Sequence, residues 1–240
     1  MPPKKRITAK TFTVVSIDVG LRTCSMCKEQ YFPDKITSIT PPQTTYGEYG
    51  TATDEWVEYI KKVVKCGSLQ GLEKRDLGTK QDFFAGRAYF NLIDWLDELA
   101  DNKYFDGVDV ILIEQQMKTN NIALALMYHI HSWCLIQFRE FKKILLYPSK
   151  QKTRVLGAPL KQENDEGKLK KTTKYQRKKW SVDTVKEFLE LRKDEKNLEY
   201  IFKENKSKKD DLCDTVVQGL SYIVTTFCPV NTKKTKKSKK

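Results

Sequence analysis

The chain has 240 residues, 39% of them hydrophobic, a mean hydropathy of −0.59 and a formal net charge of +13. That length can bury a full core in one domain, and no apolar run approaches the roughly 20 residues of a membrane span. The charge argues for a polyanionic partner.

The charge is unevenly spread. Residues 1–10 hold Lys4, Lys5, Arg6 and Lys10, and the tail Lys233–Lys240 holds six lysines and no acid. Residues 142–179 carry thirteen Lys or Arg against Glu163, Asp165 and Glu166, so the rest of the body is acidic. An acidic body beside one basic segment suggests a metal site next to a surface that binds phosphates. Met1–Arg6 has no apolar stretch of the kind a signal peptide needs. Cys24, Cys27, Cys66, Cys134, Cys213 and Cys228 show no disulfide framework spacing, and reduced thiols in an intracellular compartment are expected. Cys24-Ser25-Met26-Cys27 is a lone C-x-x-C, and with only His129 and His131 as further candidates it reads as buried thiols, not zinc.

In chain order, residues 1–10 are expected to be disordered. A β-branched, apolar strand is predicted at about 11–19, interrupted by Asp18. Residues 21–27 return as an antiparallel partner, with Gly20 in the turn. Residues 33–49 read as loop or a ragged edge strand. A helix is predicted over 54–64 with Thr53 as its N-cap, and 66–78 reads as a charged link. Residues 82–101 form one amphipathic helix burying Phe83, Phe84, Ala88, Leu92, Trp95, Leu96 and Leu99. A strand over 108–114 ends in Glu114. A nearly all-apolar helix over 122–134 is expected to be buried. A short strand at 144–147 stops at Pro148, and 149–179 reads as a long, partly mobile basic loop. Helices follow at 180–192 and 211–227, with Pro229 ending the fold. This order gives an α/β fold with a mixed central sheet. The two acidic strands would be neighbours, with the last helix across their ends.

The last helix opens with Asp211 and Asp214, three apart and so on one face. Repulsion between them would be relieved by a divalent cation. Carboxylates at the ends of buried strands, here Asp18 and Glu114, are costly unless paired or metal-bound. Together the four make a hard, all-oxygen donor set suited to Mg²⁺, with Mn²⁺ able to substitute.

These residues carry a resemblance. Ser16-Ile17-Asp18-Val19-Gly20, Leu112-Ile113-Glu114-Gln115-Gln116, Tyr147-Pro148-Ser149-Lys150 and Asp211-Leu212-Cys213-Asp214-Thr215, in that order, resemble the motifs of the RuvC-type Holliday junction resolvases of the RNase H-like superfamily. The forms of poxviruses, other large DNA viruses and fungal mitochondria are the most similar. The resemblance spans about residues 12–227. It implies an RNase H-like domain over 11–230, with an insertion at about 50–80, a basic loop at about 149–179 and a Lys-rich tail from 231. It implies Mg²⁺-dependent cleavage of four-way DNA junctions by a homodimer, with two ions held by Asp18, Glu114, Asp211 and Asp214. The family's catalytic-site lysine matches Lys179, at a Lys-x-x-Val helix start, with Lys178 next; Asp210 can replace Asp211 by a one-residue slip. Lys150, Lys152, Arg154, Lys178 and Lys179 are candidate DNA contacts. The compartment implied is a viral replication factory, nucleus or mitochondrial matrix. Two other readings share these residues: a nuclease of RNA–DNA hybrids or flaps, and a non-catalytic protein that binds branched DNA. Asp18-Val19-Gly20 also resembles the phosphate loop of actin-like and sugar-kinase folds, but no second glycine-rich loop follows.

Overall fold

The structure, a computed structural model, describes residues 11–20, 22–47, 52–163 and 168–228. The basic N-terminal segment, Leu21 in the first turn, Pro229 and the Lys233–Lys240 tail lie outside the described residues.

Five strands form one mixed sheet: β1 (Phe12–Val19), β2 (Thr23–Tyr31), β3 (Gly67–Asp76), β4 (Val110–Gln115) and β5 (Lys143–Pro148). Their order is β3-β2-β1-β4-β5. β2 runs antiparallel to β1 and β3, whereas β4 is parallel to both β1 and β5. The α/β class and the mixed, helix-flanked sheet are those expected, and the two acidic strands are neighbours.

Alternation along β1 divides the core. Phe12 and Val14, with Val110 and Leu112 of β4, face a layer built by α2 (Asp54–Val64), α7 (Lys174–Arg192) and α9 (Lys209–Phe227). Val15, Ile17 and Val19, with Ile111 and Ile113, face α4 (Arg87–Asp101) and α5 (Asn121–Phe138). All six cysteines are free and buried. Cys24 and Cys27 lie in opposite cores, so the C-x-x-C pair cannot converge on one ion.

α2 has the expected bounds, and Thr53 caps it by accepting a hydrogen bond from the Trp56 N–H. Elsewhere the structure departs from the sequence reading. Residues 66–78, expected as a link, form β3, an edge strand paired with β2 across its whole length. Its Gly and charged residues hide the strand pattern because its burial is only partial. The helix expected over 82–101 is two helices, α3 (Lys80–Phe84) and α4, parted at Gly86, which adopts a left-handed φ of 78°. Phe84, placed in the buried stripe, is therefore exposed. Within 33–49, Pro33–Thr37 forms α1.

The long basic loop is ordered over most of its described length. It holds α6 (Ser149–Val155), a hairpin of β6 (Lys161–Glu163) and β7 (Leu169–Lys171), and the first turns of α7. α7 begins six residues early because Thr173 and Gln176 close a capping box. After α8 (Glu195–Glu199), a π turn and a 3₁₀ turn lead into α9.

The apolar sequence over 122–134 predicts a buried helix, with part of its apolar surface facing a second copy. One face of α5 is buried, but Tyr128, Leu135 and Ile136 on the other face are exposed.

Candidate active site

Asp18 lies on the same face of β1 as Phe12, Val14 and Ser16, the face covered by α9. Glu114 lies on the same face of β4 as Val110 and Leu112. The parallel register matches Ser16 to Leu112 and Ile17 to Ile113, so one further step sets Asp18 beside Glu114. Local alternation puts each acid on its face; strand order puts the two together.

α9 is pinned over both strands by buried polar side chains. The Ser16 hydroxyl donates to the Thr215 carbonyl at 2.6 Å. The Gln218 amide donates to the Ile17 and Leu112 carbonyls, each at 3.3 Å, and so staples β1 to β4. The Ser221 hydroxyl donates to the Tyr147 phenol of β5 at 2.9 Å. Buried hydrogen bonds of this kind fix an orientation that apolar contact alone leaves free to slide. Asp214 is one turn before Gln218 on the same helix and is thereby aimed at the ends of β1 and β4.

Lys152 of α6 occupies the centre of this group. Its Nζ lies 3.0 Å from Glu114 Oε1, 3.3 Å from Asp214 Oδ2 and 4.0 Å from Asp18 Oδ2. The Lys152 side chain is only 8% exposed, and the three carboxylates are 12–15% exposed. The Gln116 amide donates to the other Glu114 oxygen at 3.1 Å.

Burial pushes the Asp18 carboxyl well above the usual carboxylate range, against the pull of Lys152, and the Glu114 charge adds to the rise. Glu114 moves down: a hydrogen bond from Asp18 and the Lys152 charge outweigh its burial. This contact drives the two carboxyls in opposite directions. Burial also raises Asp214, opposed chiefly by Lys152. Lys152 is disfavoured by burial, yet the three acids hold it firmly protonated.

A second, shallower group adjoins the first. Asp211 accepts a hydrogen bond from the Thr23 hydroxyl at 3.0 Å, and Lys178 of α7 lies 3.6 Å from its other oxygen. Lys178 also makes a close ion pair with Asp210. Asp210 and Asp211 lie in the first turn of α9, where the helix dipole favours negative charge.

The structure thus brings together Asp18, Glu114 and Asp214, with Asp211 and Asp210 alongside. Lys178 touches this acidic group. Lys179 is exposed and, among the described residues, makes no ion pair with these carboxylates. Lys150 and Arg154 are exposed on α6, but Lys152, expected among the DNA contacts, is buried inside the acids. The sequence reading missed its position because 149–155 read as loop. As a helix, that segment puts Lys152 on one face with Val155 and Leu156, which pack against the core. Gln218 and Thr23 were also missed, since nothing local marks either.

The donor set is all oxygen, as a hard cation requires. The buried Ser181 hydroxyl lies beside Asp214 and adds a further oxygen at the edge of the group. By residue type the site fits a divalent ion. Among the described residues no three His, Cys, Asp or Glu stand in ligating geometry. The three deepest carboxylates are arrayed about the Lys152 ammonium instead.

No family model matches the chain. It is 28% identical over 224 residues, 87% of each chain, to the uncharacterized protein 170L of Invertebrate iridescent virus 6. It is 32% identical over 119 residues, half of each chain, to the uncharacterized protein 97L of Invertebrate iridescent virus 3. Among solved structures, Thermus thermophilus RuvC aligns with a TM-score of 0.43 and 12% identity, covering 89% of this chain and 95% of that one.

Proposed function

We propose that this protein is a metal-dependent endonuclease of the RNase H-like type that resolves four-way DNA junctions. The observation that carries the nuclease reading is the convergence of Asp18, Glu114 and Asp214, from two neighbouring strands and a helix, on one nearly buried point. Such a cluster of acids is unfavourable for folding and is retained where it serves chemistry. The four sequence motifs, met in order along the chain, support the narrower resolvase reading.

When bound, Mg²⁺ or Mn²⁺ would supply Lewis-acid stabilisation and water activation. The chain's own residues do the rest. Gln218 and Ser16 hold the acids in place. Gln116 orients Glu114. Lys174, Arg177 and Lys179 lie within about a turn of Lys178 on α7 and are exposed beside the site, where they would bind phosphates without reading sequence.

Paired cuts on opposing strands call for two equivalent sites, which a two-fold dimer provides. The exposed apolar residues Tyr128, Leu135 and Ile136 on α5 support a second copy as the occupant of that face.

The test is cleavage of an immobile four-way junction, labelled on each strand in turn, with Mg²⁺ and with EDTA. Symmetric nicks on opposing strands, only with metal, are expected. Asymmetric or single cuts would move the function to a general branched-DNA or hybrid nuclease. Binding without cleavage in either metal would leave a structural DNA-binding role.

A further inference from the structure

We infer that Lys152 is a resident counter-cation: it holds Asp18, Glu114 and Asp214 together before metal arrives, and metal binding expels it from the site. This rests on the metal-dependent reading above.

The geometry carries the argument. One ammonium is within 4.0 Å of all three carboxylates and uses one oxygen of each. Without that charge, three acids crowded into a buried space would repel one another and the ends of β1, β4 and α9 would spread. Lys152 thus does structurally what a bound cation would do electrostatically. The two cannot occupy the same place. A dication on those oxygens would repel an ammonium at contact distance, and the oxygens now accepting from Nζ would be needed for the ion.

The arrangement recurs beside it. Lys178 stands against Asp210 and Asp211 as Lys152 stands against the other three. Each acidic group therefore has its own lysine, from α7 and α6 respectively. Lysine suits this role, because its charge is compact and its four-carbon stem is flexible. α6 is a helix of seven residues after Pro148, with Lys150 and Arg154 exposed one turn apart on the face opposite Lys152. Metal occupancy would thus release a positive charge from among the three acids.

Two measurements test this. In the first, Mn²⁺ binding by full-length wild type and Lys152→Met is followed by calorimetry and by the free-Mn²⁺ paramagnetic signal, without DNA. The variant should bind about tenfold or more tightly, the size of an ordinary coupling between two competing ligands. Equal or weaker binding by the variant overturns the inference and leaves the metal reading intact. If neither protein binds Mn²⁺ at millimolar concentration, the metal reading fails, and this inference with it.

The second measurement needs no substitution and decides the matter if the variant does not fold. Wild type is acylated with an amine-reactive ester, with and without saturating Mn²⁺, and Lys152 labelling is read by mass spectrometry. Lys152 should be protected without metal and labelled with it. Continued protection in a protein that demonstrably binds Mn²⁺ would show that the lysine stays in place.

Discussion

Arg192 Nη1 lies 3.3 Å from Glu29 Oε1, and Glu29 has no solvent exposure. The Tyr31 phenol donates to the same carboxylate oxygen at 2.8 Å, and Arg192 donates to the Tyr31 oxygen at 3.0 Å and to the Val64 carbonyl at 2.9 Å. The other carboxylate oxygen has no hydrogen-bond partner among the described residues. This buried triad ties β2 to the end of α7 underneath α9, and it is separate from the acids of the candidate site.

Arg192→Met should therefore destabilise the protein by about 3–5 kcal/mol, the usual cost of stranding one partner of a buried pair. Burial raises Glu29 above its ordinary 4.5, against the pull of Arg192 and Tyr31. A carboxyl with a raised native pKa binds more protons folded than unfolded, so stability falls as pH rises through that window. Removing Arg192 takes away the opposing pull and extends the window upward. Urea unfolding at pH 5 and pH 8 should show the larger penalty at pH 8; a penalty that is the same or smaller there would contradict a charged Glu29.

Gly219 sits where α9 passes over Glu29. A Cβ at this position would stand 2.3 Å from Glu29 Oε2 and 3.4 Å from the Ser16 hydroxyl. Gly219→Ala should lower stability by about 1–3 kcal/mol through overpacking, although alanine gains about 1 kcal/mol in helix propensity. A rise in melting temperature would mean that α9 lies further from β2 than described.

Asp214→Asn and Asp18→Asn should each abolish junction cleavage in Mg²⁺ while leaving junction binding near wild type, since neither residue lies on the exposed basic surface. Cleavage gels and gel-shift assays on the same junction separate the two effects. Retained cleavage by either variant would remove that residue from the candidate site.

Gln218→Leu loses both staples between α9 and the two acidic strands. Cleavage should fall by about 10²-fold, because misplacement of the order of 1 Å is enough for that. Stability should fall by only about 1–2 kcal/mol. Chemical denaturation and single-turnover cleavage on one preparation test the split. Full activity would show that Gln218 does not position Asp214.

Ile136→Asp with Leu135→Arg should yield a monomer by sedimentation at concentrations where the wild type is a dimer. Symmetric paired nicks on a junction should then give way to single nicks. Unchanged sedimentation would place any second copy on another face.

Much of the fold and the acidic residues were legible because their signals are local. β1 and β4 announce themselves by apolar, β-branched runs broken by Asp18 and ended by Glu114, and α9 by its 3.6-residue stripe after Asp211 and Asp214. β3 was missed because an edge strand buries too little to need an apolar pattern. The early start of α7 was missed because lysines obscured the capping box of Thr173 and Gln176.

By itself, then, the chain determined which acids end which elements, and which face of its own element each occupies, since alternation and helical phase are set by neighbouring residues. Only the tertiary structure decided that β4 lies beside β1 so that Asp18 meets Glu114, that Gln218 locks α9 across them, and that Lys152 rather than Lys179 turns inward. Those are relations between residues up to about two hundred positions apart. They depend on strand order, on the way α6 packs across α9 and on the need of buried carboxylates for a counter-charge, none of which leaves a periodic trace in the sequence.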